Sequence, residues 1–176
     1  MIFLGIGSNL NSSFGNRFRN IELAINYINN NDIKLVKKSS FYETLSYPDK
    51  SKPKFINIVV SIETNLSPVD LMNFLISVEE KLERKRLKKN DPRTCDIDII
   101  DYNGTVSDIK TLKMQISLPH KDMDTRNFVL YPLKEISPNW IHPKTKKKID
   151  VLIENLKTSN YEITKLKQND IISYVK

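Results

Sequence analysis

Two aspartates one residue apart, Asp96 and Asp98, offer the clearest chemistry in this sequence, and Arg93 lies three residues before the first. On a β-strand the two carboxylates face the same side, about 6.6 Å apart along the chain. Such like charges raise one pKa unless a cation or an arginine neutralises them. Mg²⁺ suits the pair because it is held by one or two carboxylates, waters and phosphate oxygens, and a fixed guanidinium suits a polyphosphate. From spacing alone, a polar stripe on a solvated strand, neutralised by lysines, is the alternative.

The hydrophobic periodicity places this segment last in a β-α-β-β-α-β order. Apolar runs and alternation predict strands, whereas apolar residues three or four apart predict helices. Ser67 and Pro68 mark the start of the second helix as its N-cap and first helical position. The order predicts the α+β class and a ferredoxin-like fold, an antiparallel four-stranded sheet with two helices on one face. The predicted strands are 2–7, 33–44, 55–64 and 95–99, and the predicted helices are 16–29 and 67–84.

Two loops and a further helix complete the predicted elements. Pro48 and Pro53 make 45–54 an exposed loop, and the polar, basic residues of 84–92 predict a second one. A helix is predicted over about 126–133.

The composition favours one packed domain, which we place at 1–176, although the tail over 141–176 gives weaker signals. The single cysteine, Cys95, cannot form an intramolecular disulfide and suits a reducing compartment. No apolar run approaches the roughly 20 residues of a membrane span, and a signal peptide is not predicted, so we expect a cytoplasmic protein. The net charge of +7 indicates attraction to anions without choosing among them.

Common nucleotide and zinc motifs are absent from the sequence. Gly5 and Gly7 lack the third glycine of a dinucleotide fingerprint, and no G-x-x-x-x-G-K-[ST] occurs. Cys95 has no cysteine partner, and neither His120 nor His142 has a metal-type neighbour. A nucleotide would therefore be held without a P-loop, and no structural zinc is predicted.

The segment 92–100 resembles the signature of the 6-hydroxymethyl-7,8-dihydropterin pyrophosphokinases, P-R-x-x-D-hydrophobic-D followed by two aliphatic residues. The resemblance covers about residues 2–140 and implies a ferredoxin-like fold. It also implies an enzyme that transfers pyrophosphate from ATP to the pterin hydroxyl with two Mg²⁺ ions, and that binds neither nucleic acid nor membrane. Other segments resembling family landmarks are Gly7-Ser8-Asn9-Leu10, Ser39-Ser40-Phe41-Tyr42-Glu43-Thr44, Phe55-Ile56-Asn57, Leu118-Pro119-His120 and Arg126-Asn127-Phe128-Val129-Leu130-Tyr131-Pro132-Leu133.

The resemblance implies roles for individual residues. Asp96 and Asp98 would hold the metal ions, and Arg84 and Arg93 would be catalytic arginines. Asn57 would read the pterin, which suits an amide that donates and accepts at once. The residues implied for ATP are His120, Arg126, Arg84, Arg93 and Ile99, and those implied for the pterin are Thr44, Phe55, Asn57, Phe128 and Asp96.

Structural roles stay open for several of these residues. Arg84 and Arg86, near a helix C-terminus, would favour the helix dipole and face solvent in any protein. His120 after a proline suits a turn, and Phe55 and Phe128 suit a hydrophobic core.

The sequence departs from the family before the Pro-Arg pair, where Trp-Gly is common and Asn90-Asp91 stands here. Asn90 cannot supply apolar cover to the site. The charge of Asp91 is expected to oppose triphosphate binding unless Arg86, Lys88 or Lys89 pairs with it.

The pyrophosphokinase is expected to be a monomer. Two other functions remain possible. A basic ferredoxin-like domain can bind RNA by stacking bases on aromatic residues of its sheet, but the strand over 55–62 has one aromatic residue and no glycine. The other possibility is a family member that has lost catalysis and persists as a binding protein.

Overall fold

The structure is a computed structural model that describes residues 1–30, 32–46, 49–85, 91–156, 162–167 and 171. Its strands are β1 (Ile2–Ser8), β2 (Ile33–Lys38), β3 (Tyr42–Thr44), β4 (Phe55–Thr64), β5 (Asp96–Tyr102), β6 (Ser107–Lys110), β7 (Gln115–Leu118) and β8 (Ile163–Lys165). Its α-helices are α1 (Arg17–Ile28), α2 (Pro68–Lys81), α3 (Asn127–Ile136) and α4 (Ile149–Glu154), and a 3-10 turn spans Met123–Thr125.

Six strands form one sheet in the order β5-β1-β4-β3-β8, and β2 also pairs with β4. The pairings of this sheet are antiparallel. The strands β6 and β7 form a separate antiparallel hairpin. The prediction of a mixed α and β fold built on an antiparallel sheet is therefore confirmed.

The predicted strand over 33–44 is wrong as a single element, because the strand is interrupted at Ser39 and Ser40. Ser39 is buried, its N–H donates to the Val59 carbonyl, and its hydroxyl accepts from the Val59 N–H. A side chain thus replaces a ladder partner, as serine hydroxyls do when they compete for backbone groups. As a result β2 lies along one half of β4 and β3 along the other.

Both of the first two helices begin close to their predicted starts. The side chain of Asn16 accepts from the Arg19 N–H at 3.0 Å and starts α1. The predicted N-cap Ser67 accepts from the Asp70 N–H at 3.2 Å, and Pro68 opens α2. The helix α2 ends at Lys81 rather than at the predicted 84, and α3 extends to Ile136.

The sheet is covered on both faces. Ile2, Leu4 and Ile6 of β1 pack in the hydrophobic cluster that contains the buried apolar residues of α1 and α2. Phe3 points to the other face and packs with residues of α3 and α4. The first helix pair lies on one face as predicted. In the second layer, α3 corresponds to the helix predicted over 126–133, and α4 comes from the tail over 141–176, where the signals are weaker.

Within the residues described, no helix is both long and apolar enough to cross a membrane.

Candidate active site

A row of three residues across the sheet forms the floor of the site. Gly7 of β1 lies opposite Asn57 of β4 on one side and opposite Asp96 of β5 on the other. A Cβ atom on Gly7 would stand 2.9 Å from the Asn57 side-chain oxygen, closer than such contacts allow. The missing side chain therefore leaves Asn57 and Asp96 facing one open space.

The carboxylate of Asp96 is held by two arginines. Arg84 Nη1 lies 2.6 Å from one oxygen, and Arg93 Nε lies 2.9 Å from the other. The end of α2 directs Arg84 here, because Glu83 adopts a left-handed φ of 64° and the Arg84 N–H turns back to the Glu79 carbonyl at 3.0 Å. The alternative of a helix-end arginine facing solvent is therefore wrong for Arg84.

Glu79 is a buried acid that sequence reasoning missed. It is 1% exposed, it pairs with Arg84, and it accepts the Ile97 N–H at 2.7 Å, which joins α2 to the edge of β5. Burial lowers the pKa of Arg84, but the charges of Asp96 and Glu79 outweigh burial and raise it above its ordinary value. The available signal was position, because Glu79 follows Leu75 by four residues on the apolar stripe of α2.

Asp98 lies on the same face of β5 as Asp96, and its cationic partners are more distant than those of Asp96. His120 Nε2 is 4.0 Å and Arg126 Nη1 is 3.8 Å from its carboxylate. Burial and the charge of Asp96 raise the pKa of the Asp98 carboxyl, although His120 and Arg126 oppose this. Burial also lowers the pKa of the His120 imidazole. Asp98 is therefore the carboxylate with the greater need of a cation.

The opposite wall is amide and aromatic. Asn57 is 7% exposed, and its Nδ2 donates to the Thr44 hydroxyl at 3.0 Å. The guanidinium of Arg93 lies 5.2 Å from the centre of the Phe55 ring, and that of Arg126 lies 5.7 Å from the Phe128 ring. Both phenylalanines thus line an open space next to cations, and Phe128 also packs against the second hydrophobic cluster.

These residues enclose a cavity of about 280 Å³. The predicted residues that line it are Thr44, Phe55, Asn57, Arg93, Asp96, Asp98, Arg126 and Phe128, and the lining residues that were not predicted are Leu45, Asp122 and Thr125. Arg84 and His120 are not among the lining residues, but Arg84 pairs with Asp96 and His120 lies near Asp98, and both aspartates line the cavity. The Ile99 side chain is 2% exposed in the core, so any contact with ATP would use its backbone.

The donor set fits Mg²⁺. Among the residues described, no three acidic, histidine or cysteine side chains converge on one point. Two carboxylates beside a cavity are what Mg²⁺ uses when substrate phosphates and waters complete its shell. The raised pKa of Asp98 is the perturbation that a divalent cation would relieve.

Asp91, where the sequence departs from the family, pairs with a lysine that was not among the expected partners. Lys52 Nζ lies 3.7 Å from the Asp91 carboxylate, so an ion pair joins the loop after β3 to the segment before β5. The predicted partners Arg86, Lys88 and Lys89, as well as Asn90, lie outside the described residues.

Comparison with known proteins gives the family. Residues 3–138 match the model of the 7,8-dihydro-6-hydroxymethylpterin-pyrophosphokinase (HPPK) family. The chain belongs to this family. A pyrophosphokinase of this name from Aquifex aeolicus is 36% identical over 142 residues, 81% of this chain and 83% of the relative. One from Synechocystis is 37% identical over 124 residues, 70% of this chain and 61% of the relative.

Other relatives of the HPPK family are longer than this chain. The match to the folic acid synthesis protein FOL1 of Dictyostelium discoideum has 37% identity and covers 81% of this chain but 20% of that protein. A Plasmodium falciparum HPPK-DHPS crystal structure superposes with a TM-score of 0.70 at 15% identity, and covers 87% of this chain and 42% of that one. The structural likeness shows the fold.

Proposed function

We propose that this chain transfers the pyrophosphoryl group of ATP to the hydroxyl of 6-hydroxymethyl-7,8-dihydropterin in folate biosynthesis. The observation that carries the proposal is that one cavity brings Asn57 and two phenylalanines together with two aspartates that lie beside arginines. One wall suits a flat heterocycle, and the other suits a polyphosphate with its metal ions.

The pterin binds between the Phe55 and Phe128 rings, with its polar edge against Asn57 and Thr44. An amide offers a donor and an acceptor side by side, which matches the alternating edge of a pterin. Stacking on the rings adds apolar area without demanding further polar partners.

ATP binds with its phosphates over Asp96 and Asp98, which would hold two Mg²⁺ ions. When bound, such ions would supply positive charge that offsets the phosphate charge during in-line attack at the β-phosphorus. Arg84, Arg93 and Arg126 supply positive charge around the same phosphates, and His120 contributes a hydrogen bond. The pterin hydroxyl oxygen bonds to the β-phosphorus as its O–H bond breaks and the proton passes to solvent. The bond from that phosphorus to the α,β-bridging oxygen breaks, and AMP leaves with the electron pair.

We also propose a finer assignment of the fold. The β5-β1-β4 order, with β2 and β3 sharing the next position, supports a ferredoxin-like core with a C-terminal extension in one domain over 1–176. The cytoplasmic location and monomeric state stay predictions.

Quantifying AMP after mixing protein, ATP, Mg²⁺ and the pterin tests the proposal. We expect one AMP for each pterin diphosphate, and no AMP when the pterin or Mg²⁺ is omitted. Formation of ADP would refute the transfer of pyrophosphate. Retention on an RNA column without AMP release would favour the RNA-binding alternative, and binding of both substrates without AMP would indicate an impaired family member.

A further inference from the structure

Asn9, directly after β1, is a buried amide that contacts two segments of the site. It is 2% exposed, and its side-chain oxygen accepts the Arg93 N–H at 2.6 Å. The Asn9 and Leu10 N–H groups donate back to the Arg93 carbonyl at 3.0 and 3.1 Å. Three hydrogen bonds therefore fix the backbone of the residue whose guanidinium pairs with Asp96.

The other end of the Asn9 amide holds the loop after β3. Its nitrogen donates to the Pro53 carbonyl at 3.1 Å and to the Ser46 hydroxyl at 3.3 Å, and that hydroxyl donates to the same carbonyl at 2.6 Å. Ser46 follows Thr44 by two residues, and Pro53 precedes Phe55 by two. The amide thus closes the base of the loop that connects two residues of the pterin wall.

The amide orientation is determined by its partners. A flipped side chain would place its NH₂ against the Arg93 N–H and its oxygen against the Pro53 carbonyl, which sets donor against donor and acceptor against acceptor. The Asn9 oxygen therefore accepts from Arg93, next to the proposed phosphate site, and its nitrogen donates to the loop next to the proposed pterin site.

We propose that Asn9 is a positioning residue that couples nucleotide binding to pterin binding. This inference rests on the proposed function, because it assigns Arg93 to the phosphates and the ends of the loop to the pterin. A nucleotide that fixes Arg93 also fixes the Asn9 amide, and through it the base of the loop beside Thr44 and Phe55. By linkage, the pterin favours the nucleotide-bound arrangement to the same degree.

Calorimetric titration of the pterin, with and without an ATP analogue bearing a methylene between the α and β phosphorus atoms, measures this coupling without turnover. We expect the analogue to tighten pterin binding of the natural chain by about 5-fold or more. We call the ratio of pterin affinities with and without the analogue the coupling ratio. In Asn9→Ala this ratio should fall to within about 2-fold of one, while the affinity for the analogue alone changes by less than about 3-fold. The exposed neighbour Asn11 provides the matched control, and Asn11→Ala should keep the full ratio.

Two milder variants separate the halves of the link. Asn9→Asp keeps an acceptor for Arg93 but sets an oxygen against the Pro53 carbonyl, and should also lose the ratio. Ser46→Ala removes the hydroxyl that accepts from the Asn9 amide and donates to the Pro53 carbonyl, but it leaves the direct bond from Asn9 to Pro53, so it should reduce the ratio by about 2-fold. If Asn9→Ala fails to fold, Asn9→Asp and Ser46→Ala decide the matter.

A purely structural role gives a different result. Variants that melt at lower temperature but keep the natural ratio would overturn the proposal, as would a ratio of one in the natural chain. Because the titrations need no chemistry, they distinguish this failure from that of the proposed function, which would appear as a natural chain that binds both ligands but releases no AMP.

Discussion

Replacing Glu79 tests the buried link between α2 and β5 most directly. In Glu79→Ala the Ile97 N–H loses its acceptor in a buried place, and Arg84 keeps Asp96 as its one described carboxylate partner. An unsatisfied buried donor costs about 1–3 kcal/mol, and breaking a buried ion pair by removing one partner costs about 3–5 kcal/mol in all. We therefore expect the free energy of unfolding to fall by about 3–5 kcal/mol, or about 6–20 °C in Tm for a chain of this size.

Glu79→Gln separates charge from geometry. Its amide oxygen can still accept the Ile97 N–H, so the expected loss is about 1–2 kcal/mol, the difference between a hydrogen bond to a charged group and a neutral one. Because Arg84 then has a weaker anchor, kcat/KM should fall by about 10-fold in this variant. Urea unfolding at pH 7 and steady-state AMP release measure the two effects.

Glu80, the exposed next residue on α2, provides the control. Glu80→Ala should change the free energy of unfolding by less than about 0.5 kcal/mol. A Glu79→Ala protein as stable as the Glu80→Ala protein would refute the assignment of Glu79 as a structural link. Equal losses for the Ala and Gln variants would show that charge, rather than the hydrogen bond to Ile97, dominates.

Four further predictions follow from the site and its surroundings. Asp98→Asn should lower turnover at saturating Mg²⁺ by at least about 100-fold without unfolding the protein, as judged by circular dichroism and AMP release. Asn57→Ala should weaken pterin binding by about 10- to 100-fold and leave the affinity for the ATP analogue within about 2-fold, by titration of each ligand. Lys52→Asp should raise the pterin KM by about 2- to 5-fold at low salt, an effect that 0.5 M NaCl removes and Asp91→Lys reverses. Burial lowers the pKa of His142, whose Nδ1 accepts two backbone N–H groups. The unfolded state therefore takes up the proton first, and the free energy of unfolding falls as pH decreases through about 6.5. His142→Asn should reduce this dependence of the free energy of unfolding on pH, measured by urea titrations at several pH values.

Each of these predictions has an outcome that contradicts it. Near-normal turnover of Asp98→Asn would remove the metal role, and equal weakening of both ligands in Asn57→Ala would remove the pterin role. A Lys52→Asp effect that persists in 0.5 M NaCl would not be electrostatic. An unchanged pH slope in His142→Asn would place the acid sensitivity elsewhere, for example at His120, whose pKa is also lowered.

Local rules in the sequence determined the elements and the chemical types of the site. The alternation of β5 placed Asp96 and Asp98 on one face, and the predicted cap Ser67 stands where α2 begins. These features follow from side-chain periods and short hydrogen bonds, both of which act within a few residues. The same rules, with the family signature, selected eight residues that line the cavity.

Tertiary structure alone decided how those residues are held. The Asn9 amide meets the Arg93 N–H across 84 positions of sequence, and Glu79 meets the Ile97 N–H across 18. Lys52 meets Asp91 only because the two loops approach each other, and the break at Ser39 depends on its contact with Val59. A sequence pattern reports which face a residue prefers, whereas these partners are set by which distant backbone groups lie within hydrogen-bonding distance once the sheet has formed.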